Sequence, residues 1–431
     1  MLRILRFLPL LALLILAPSG VYAQVASPTI DVLYAEGTIN PVMADYIERG
    51  IGQAEEDNAT ACIIQLDTPG GLLSSTEEIV ISIMNANVPI IVYVSPKGAW
   101  AASAGVFITL SSHIAAMTPG TTIGAAHPVS AGEEEIPEEE MEKITKFAAK
   151  WLETIAEDRG RNVEEAQLAV TESKSFTDVE ALNYNLIDLR ADTLESLIWQ
   201  IDGWQITLAD GSVVTINTQG ATIKDINMSA IESFLFAITD PNIAYILLSL
   251  AILGITAEIF NPGLIFPGVF GAISGLLAFY SLGMLPVNYA GILLMVLAFG
   301  LFIAEAFTPT FGLLTAGGIT SLVIGSLILF KGGPLFQVDI GLIITVAICF
   351  ATFLVFVINR VVAAHRSQAT TGREELLGKT AVVRTALNPE GTVLHEGEIW
   401  TAVLDKGQAG PGEEVIITKY EGLKLHVTQK S

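Results

Sequence analysis

Ala61-Cys62-Ile63-Ile64-Gln65-Leu66, continuing into Asp67-Thr68-Pro69-Gly70-Gly71, and Pro89-Ile90-Ile91-Val92-Tyr93-Val94, followed by Ala99-Trp100-Ala101-Ala102-Ser103-Ala104-Gly105, decide the fold of the first half of the chain. Each begins with a short apolar run of the kind that a parallel strand buried on both faces requires, and each run ends in a turn. After the first turn, Leu72 to Asn85 carries apolar Leu72, Leu73, Ile79, Ile83 and Met84 at roughly helical spacing; after the second, Val106 to Leu110 follows Ser103. Strand, loop and helix repeat twice, which predicts an open α/β sheet. In such sheets functional groups gather at the carboxyl ends of the strands, where Gly70, Gly71 and Ser103 all fall.

Ser103 stands among very small residues, so a peptide backbone can approach its hydroxyl, and the upstream Gly-Gly can offer free amides to an oxyanion. Taken alone, a serine in an Ala/Gly run is explained by close helix packing; the glycine pair and the flanking strands turn the reading toward acyl transfer. If Ser103 opens its helix, its oxygen also faces the positive helix end. Such a serine needs a neighbouring base, and lysine serves only when its pKa is depressed. Pro137 to Arg159 reads as an amphipathic helix with Met141, Ile144, Phe147, Ala148, Trp151 and Ile155 on one broad face and Lys143 in its early turns. The helix end and apolar neighbours lower the pKa of Lys143, whereas Glu133, Glu134, Glu135, Glu138, Glu139, Glu140 and Glu142 raise it. Lys143, Lys146 and Lys150 equally fit a solvated helix stripe. His127 is a second candidate base, His113 reads as a structural histidine, and Lys97 as a solvated charge in a turn.

Four blocks in order, Asp67 to Gly71, Ala101-Ala102-Ser103-Ala104-Gly105, Thr118-Pro119-Gly120-Thr121-Thr122-Ile123-Gly124-Ala125-Ala126-His127-Pro128 and Lys143-Ile144-Thr145, resemble the serine proteases of the ClpP/crotonase fold. The resemblance is specifically to the membrane-bound NfeD group, and also to signal peptide peptidase A. It implies that Ser103 is the nucleophile, that the amides of Gly71 and Ala104 form the oxyanion hole, and that Lys143 is the general base. His127 stands close to where soluble ClpP-like proteases place a catalytic histidine; the NfeD resemblance implies a Ser-Lys dyad and leaves His127 as a pocket residue or alternative base.

The ends of the chain bear on where this chemistry happens. Arg3 and Arg6, the apolar run Leu8 to Ala17 and Ser19-Gly20-Val21-Tyr22-Ala23 have the layout of a secretory signal, so residues 1–23 are expected to be removed and the protease portion exported. From Ile243 long apolar stretches follow one another to Asn359. About five spans are expected, Ile243 to Phe260, Leu264 to Leu285, Tyr289 to Phe307, Phe311 to Phe330 and Asp339 to Asn359, joined by short turns into an antiparallel bundle. Glu258 and Glu305, near span ends and without a basic partner, read as groups that cap or snorkel rather than as a transport path. With five spans, Arg360, His365, Arg366 and Arg373 fit the positive-inside tendency and put the tail in the cytoplasm; with four, the tail sits outside beside the protease. That tail has five β-leaning runs and resembles the OB-like C-terminal domain of the NfeD family, with Trp400 and Tyr420 its only aromatics.

The chain is thus expected to be multi-domain: signal peptide 1–23; α/β ClpP/crotonase-like protease domain 24–201; a linker at 202–242 with a hairpin around Asp210-Gly211 and an amphipathic segment over Ile231 to Ile238; an α-helical transmembrane bundle at 243–359; and a small all-β OB-like barrel at 372–431. The two cysteines, Cys62 and Cys349, cannot meet as a disulfide, and no Cys/His cluster has metal-ligand spacing. No phosphate-cradling loop appears, so neither a metal nor a nucleotide cofactor is expected. A net charge of −23 argues against nucleic acid as a partner. The resemblance implies a homo-oligomeric membrane protease that cuts hydrophobic segments of membrane-associated proteins beside a stomatin- or flotillin-like (SPFH/band 7) partner. The alternative is a non-catalytic membrane scaffold for such a partner. Acyl-CoA chemistry, which the crotonase fold also hosts, fits the export signal poorly.

Overall fold

In the computed structural model, which describes residues 28–128, 137–260, 263, 265–308, 310, 312–331, 336–366 and 376–430, the two apolar runs become adjacent parallel strands. The leader at 1–23, Glu133 to Glu135, the turn residues Asn261, Pro262 and Pro309, and Arg373 lie outside the described residues. β1 (Thr29–Glu36) leads through α1 (Pro41–Glu56) to β2 (Ala61–Asp67), and α2 (Leu73–Met84) leads to β3 (Ile90–Val94). β4 (Trp100–Ala102) turns at Ser103 into α3 (Ala104–Ser111), which returns to β5 (Ile114–Met117). Then come β6 (Thr122–Gly124), α4 (Glu138–Asp158), α5 (Val163–Thr171), β7 (Ser175–Thr177), α6 (Asp178–Asn183), β8 (Leu189–Arg190) and α7 (Leu194–Gln200). The hairpin of β9 (Gln205–Thr207) and β10 (Val213–Thr215), the strand β11 (Thr222–Ile226) and the helix α8 (Ala230–Ile238) follow.

Six strands form a wholly parallel sheet in the order β11-β1-β2-β3-β5-β8. Strand alternation divides its apolar side chains between two faces. Leu33, Ile64 and Val92 on one face pack with Met43, Ile47, Ile79 and Val106 of the crossover helices. Ile30, Ile63, Ile91 and Tyr93 on the other pack with Leu197, Ile201, Ile206, Leu208 and Ile216. The segment expected to be a linker therefore behaves otherwise: the 203–216 hairpin closes the second face of the sheet, and β11 adds its edge strand on β1. The physical reason is that β2 and β3 are apolar on both faces, so the second face needs a cover that α7 alone does not supply.

One core position breaks the apolar pattern. Asp31 pairs with Cys62 of β2 and Lys224 of β11 in strand register and is fully buried, and among the described residues no donor lies within hydrogen-bonding distance and geometry of either carboxylate oxygen. Burial first, and then the nearby Asp57 carboxylate, push its pKa up to about 6. An acid whose pKa is higher folded than unfolded stabilises the fold most below the unfolded value of about 3.9, and this contribution is lost as pH rises from about 4 to about 6. Asp31→Asn is therefore expected to stabilise the full chain at pH 8 by on the order of 2 kcal/mol, with the gain shrinking toward zero near pH 4. Melting curves of both proteins across that range check it; a gain that grows on acidification would contradict the assignment.

Five apolar helices follow α8: α9 (Pro241–Phe260), α10 (Ile265–Met284), α11 (Tyr289–Phe307), α12 (Leu313–Leu327) and α13 (Ile340–Arg366). Among the described residues, α9 and α10 are each long and apolar enough to cross a membrane on that criterion alone. Of the other three, α11 (19 residues) and α13 (27 residues) reach about the length expected of a span, whereas α12, with 15 residues, is shorter than the 20 or so expected. For α12 the cause is visible. Glu305 accepts hydrogen bonds from Gly312 N (2.9 Å) and Thr315 N (2.9 Å), so the turn and its cap consume residues that the hydropathy pattern assigns to the span. Glu258 likewise accepts from Gly263 N (3.2 Å), so both glutamates act as caps, as the sequence suggests. α9 and α10 meet closely where Gly254 faces Gly271: a Cβ on Gly254 would lie 2.6 Å from Pro267 O and 2.8 Å from Gly271 Cα.

The tail is a closed five-stranded barrel of β12 (Thr380–Thr385), β13 (Glu390–His395), β14 (Glu398–Leu404), β15 (Glu414–Glu421) and β16 (Lys424–Gln429) in the order β12-β13-β14-β16-β15. Ala381, Val383, Val393, Ala402, Val415, Ile417, Leu425 and Val427 fill it, with Trp400 and Tyr420 packed against that core.

Candidate active site

Ser103 sits on the sharp turn between β4 and α3 with φ 51° and ψ −109°, a conformation that non-glycine residues rarely adopt. Such strain persists where the surroundings over-determine the backbone, and here they do. Ser103 N donates to Gly124 O of β6 (3.0 Å), and Ser103 O accepts from Val106 N (3.1 Å). The side chain does not cap the helix it precedes, and it is only half-buried, so Oγ is presented at the crest of the strand-to-helix turn.

The Thr68–Leu72 segment runs past this serine, held on both edges. On one side Ile39 N donates to Gly70 O (2.9 Å) and Leu72 N donates to Ile39 O (2.8 Å). On the other, Thr68 N donates to Trp100 O (2.7 Å) and Ala102 N donates to Thr68 O (3.1 Å). Two further bonds stiffen the turn: Gly70 N to Thr68 Oγ1 (3.0 Å) and Trp100 N to Asp67 Oδ1 (2.9 Å). Gly70 adopts φ +120°, and a Cβ there would lie 2.7 Å from Ser103 Cβ and 3.2 Å from its Oγ. The chain therefore passes directly beside the serine side chain. Because the peptide groups on either side of Gly71 point at Ile39, the Gly71 N–H points the opposite way. Ala104 N is the first amide of α3, where no intrahelical acceptor exists. Among the described residues, neither Gly71 N nor Ala104 N donates a hydrogen bond.

The two candidate bases are placed differently. His127 follows β6 by three residues, and its Nδ1 lies 2.9 Å from Val170 O. A carbonyl only accepts, so Nδ1 is the donor of this hydrogen bond. Lys143 lies in the second turn of α4, its side chain 69% exposed and its Nζ 2.7 Å from Glu139 Oε1. The structure brings Gly70 against Ser103, but among the described residues no hydrogen bond links Ser103 to Lys143 or His127.

The reason lies in how α4 is seated. It is buried from Ala148 onward, and Trp151 stacks on Phe107 of α3 at 4.7 Å between centroids. Lys143 is about 12 Å further up the helix, at ~1.5 Å per residue. The first turns stand clear, and Phe147, expected on the buried face, is 63% exposed. His113 is structural, as expected: its Nδ1 accepts from Ile90 N (3.1 Å), and burial together with Arg159 and Arg161 holds its pKa down at about 3. Sequence reasoning missed Ile39 and Thr68. Thr68 is part of the quoted turn motif, but Ile39 carries no signal, because it acts through its backbone alone.

Residues 29–224 match the family described as NfeD1b, N-terminal domain, residues 242–360 the NfeD integral membrane domain, and residues 373–429 the NfeD-like C-terminal, partner-binding domain. The membrane-bound protease PH1510 of Pyrococcus horikoshii is 38% identical over 93% of this chain and 93% of its own length. The chain belongs to the NfeD family. Membrane protein NfeD1b of Bacillus subtilis is 27% identical over 97% of this chain and 98% of that protein. Among solved structures, the 1510-N membrane-bound stomatin-specific protease, as a variant in complex with a substrate peptide, is 35% identical over 50% of this chain and 99% of that one, with a TM-score of 0.47. The chain is thus an integral membrane protein of the NfeD family, with an α/β portion, apolar helices and a small all-β barrel.

Proposed function

We propose that this NfeD-family chain is a membrane-anchored serine endopeptidase with a Ser103–Lys143 dyad. The observation that carries the reading is the strained, uncapped Ser103 beside two undonated amides. Ser103 Oγ attacks the scissile carbonyl carbon as Lys143 Nζ takes its proton. The oxyanion of the tetrahedral adduct receives hydrogen bonds from Gly71 N and Ala104 N, aided by the positive end of α3. Collapse breaks the C–N bond, and the proton held by Lys143 goes to the leaving amine. A water molecule, deprotonated by the same lysine, then cleaves the acyl ester. In this reading the exposed first turns of α4 bring Lys143 to the serine when substrate binds, exchanging its Glu139 partner for a drier setting in which a neutral amine is favoured.

The substrates are hydrophobic segments of membrane-associated proteins, the class that the NfeD resemblance implies. The partner is a stomatin- or flotillin-like membrane protein held by the C-terminal barrel, a role supported by its match to a partner-binding domain. The protease portion lies on the exported side and the barrel in the cytoplasm, and the chain works as a homo-oligomer.

The test is cleavage of an apolar peptide library by the full chain in detergent, comparing wild type with Lys143→Ala and His127→Ala. Lys143→Ala is expected to lower kcat by about 10³-fold, and His127→Ala by less than about tenfold. The reverse order would make the pair Ser103–His127. The exposed ion pair of Lys143 with Glu139 favours a second reading, a scaffold for the same partner. A wild-type chain that holds the partner but cleaves nothing would establish it.

A further inference from the structure

Asn40 is buried and has two partners. Its Oδ1 accepts from Met43 N (2.9 Å), capping α1, and its Nδ2 donates to Thr239 Oγ1 (2.8 Å) across 199 residues of sequence. Serine, threonine or aspartate would cap α1 as well; what asparagine adds is the amide donor. Thr239 is also buried, and its hydroxyl donates to Phe236 O (2.7 Å), leaving its lone pair for Asn40. It stands at the end of α8, two residues before Pro241 opens the first apolar helix α9. On the other side, Asn40 follows Ile39, whose N and O hold the peptide groups on both sides of Gly71.

A short path of backbone and one side-chain bond thus joins the membrane anchor to the amide assigned to the oxyanion. Packing around that bond is incomplete. A cavity of about 190 Å³ beside it is lined by Thr38, Asn40, Thr239, Asp240, Met284 and Phe336, and Phe236, which also borders it, packs on the sheet core near Gly37. The Arg49–Glu232 pair (2.7 Å) docks the start of α8 on α1 but lies at its far end from Thr239.

We propose that Asn40 is a positioning residue: through Thr239 it sets the Gly70–Leu72 strand against Ser103 according to where the first membrane helix sits. This rests on the protease reading above. Both Thr239→Val and Asn40→Ser remove the bond. Serine still caps α1 but is too short to reach Thr239.

In the full chain in detergent, assayed on an apolar fluorogenic peptide, each variant is expected to lower kcat by about tenfold with KM unchanged within twofold. The double variant should be no worse than either single, and Thr239→Ser should retain wild-type kcat. Amide hydrogen exchange should rise in residues 68–73 of both variants and stay unchanged in α1. Unchanged kcat in a wild type that cleaves, or additive losses, would overturn the proposal. So would unchanged exchange in residues 68–73, whatever the peptide assay shows. A wild type that cleaves nothing while exchange still rises counts against the protease reading and leaves the mechanical link standing.

Discussion

Replacing Ser103 with alanine is expected to lower kcat for peptide cleavage by about 10⁴-fold or more while leaving the melting temperature of the full chain within a few degrees of wild type. The two halves of that expectation come from the same geometry. Among the described residues, Ser103 Oγ makes no hydrogen bond and does not cap α3, so its removal breaks no hydrogen bond seen there. Alanine keeps the Cβ that lies against Gly70 and meets the same left-handed backbone that serine already accepts at φ 51°. On the proposed mechanism, what is lost is the atom that forms the acyl bond. The remaining rate would come from the Gly71 and Ala104 amides acting on a water-attacked carbonyl. Cleavage under single-turnover conditions, read beside a thermal melt of the same preparation, checks both halves. Retention of more than about one per cent of the rate would remove Ser103 as nucleophile, and a large drop in melting temperature would mean that the hydroxyl has a structural role.

That serine was legible because its signals are local. Small residues on both sides, a turn after an apolar strand and a glycine pair after the neighbouring strand are features of contiguous sequence, and parallel sheets bring strand ends together by rule. β2 and β3 were legible for the same reason, their apolar runs leaving little alternative to double-sided burial. β11 was not: Thr222–Ile226 is exposed at four of its five positions, and within the sheet it pairs with β1 at the edge. The hairpin at 203–216 was seen as a hairpin, but its role as a lid on the sheet depends on what the opposite face lacks. Lys143 marks the same boundary inside the site. Periodicity gives the helix and its apolar stripe, whereas which turns of that stripe reach the core depends on where Trp151 meets Phe107. Asn40 looks like any helix cap in sequence, and its second partner lies 199 residues away.

Gly71→Ala tests the other half of the site, and its effect is expected to be of similar weight for a different reason. A Cβ at this position would overlap the Ile39 carbonyl oxygen and lie 2.6 Å from both the carbonyl carbon and the nitrogen of Ile39. These are backbone atoms at the exit of β1, so no rotamer change relieves the overlap. The Thr68–Leu72 segment must draw away from Ile39, giving up the 2.9 Å and 2.8 Å bonds that hold it there. It has little room to move toward Ser103, because even a methyl group on Gly70 would lie 2.7 Å from Ser103 Cβ. On the proposed mechanism the Gly71 amide is therefore turned away from the oxyanion, and loss of one such donor is expected to lower kcat by about 10²–10³-fold. Stability should fall as well, by on the order of 2–4 kcal/mol for two strained or broken backbone bonds and the displaced packing. The comparison that separates the two effects is made well below the melting temperature of the variant: circular dichroism should report a folded chain whose kcat is still depressed. A folded Gly71→Ala chain that cleaves at the wild-type rate would mean that the oxyanion is held by Ala104 and some donor other than Gly71. In that case the close pass of the glycine strand beside Ser103 would serve to shape the substrate cleft.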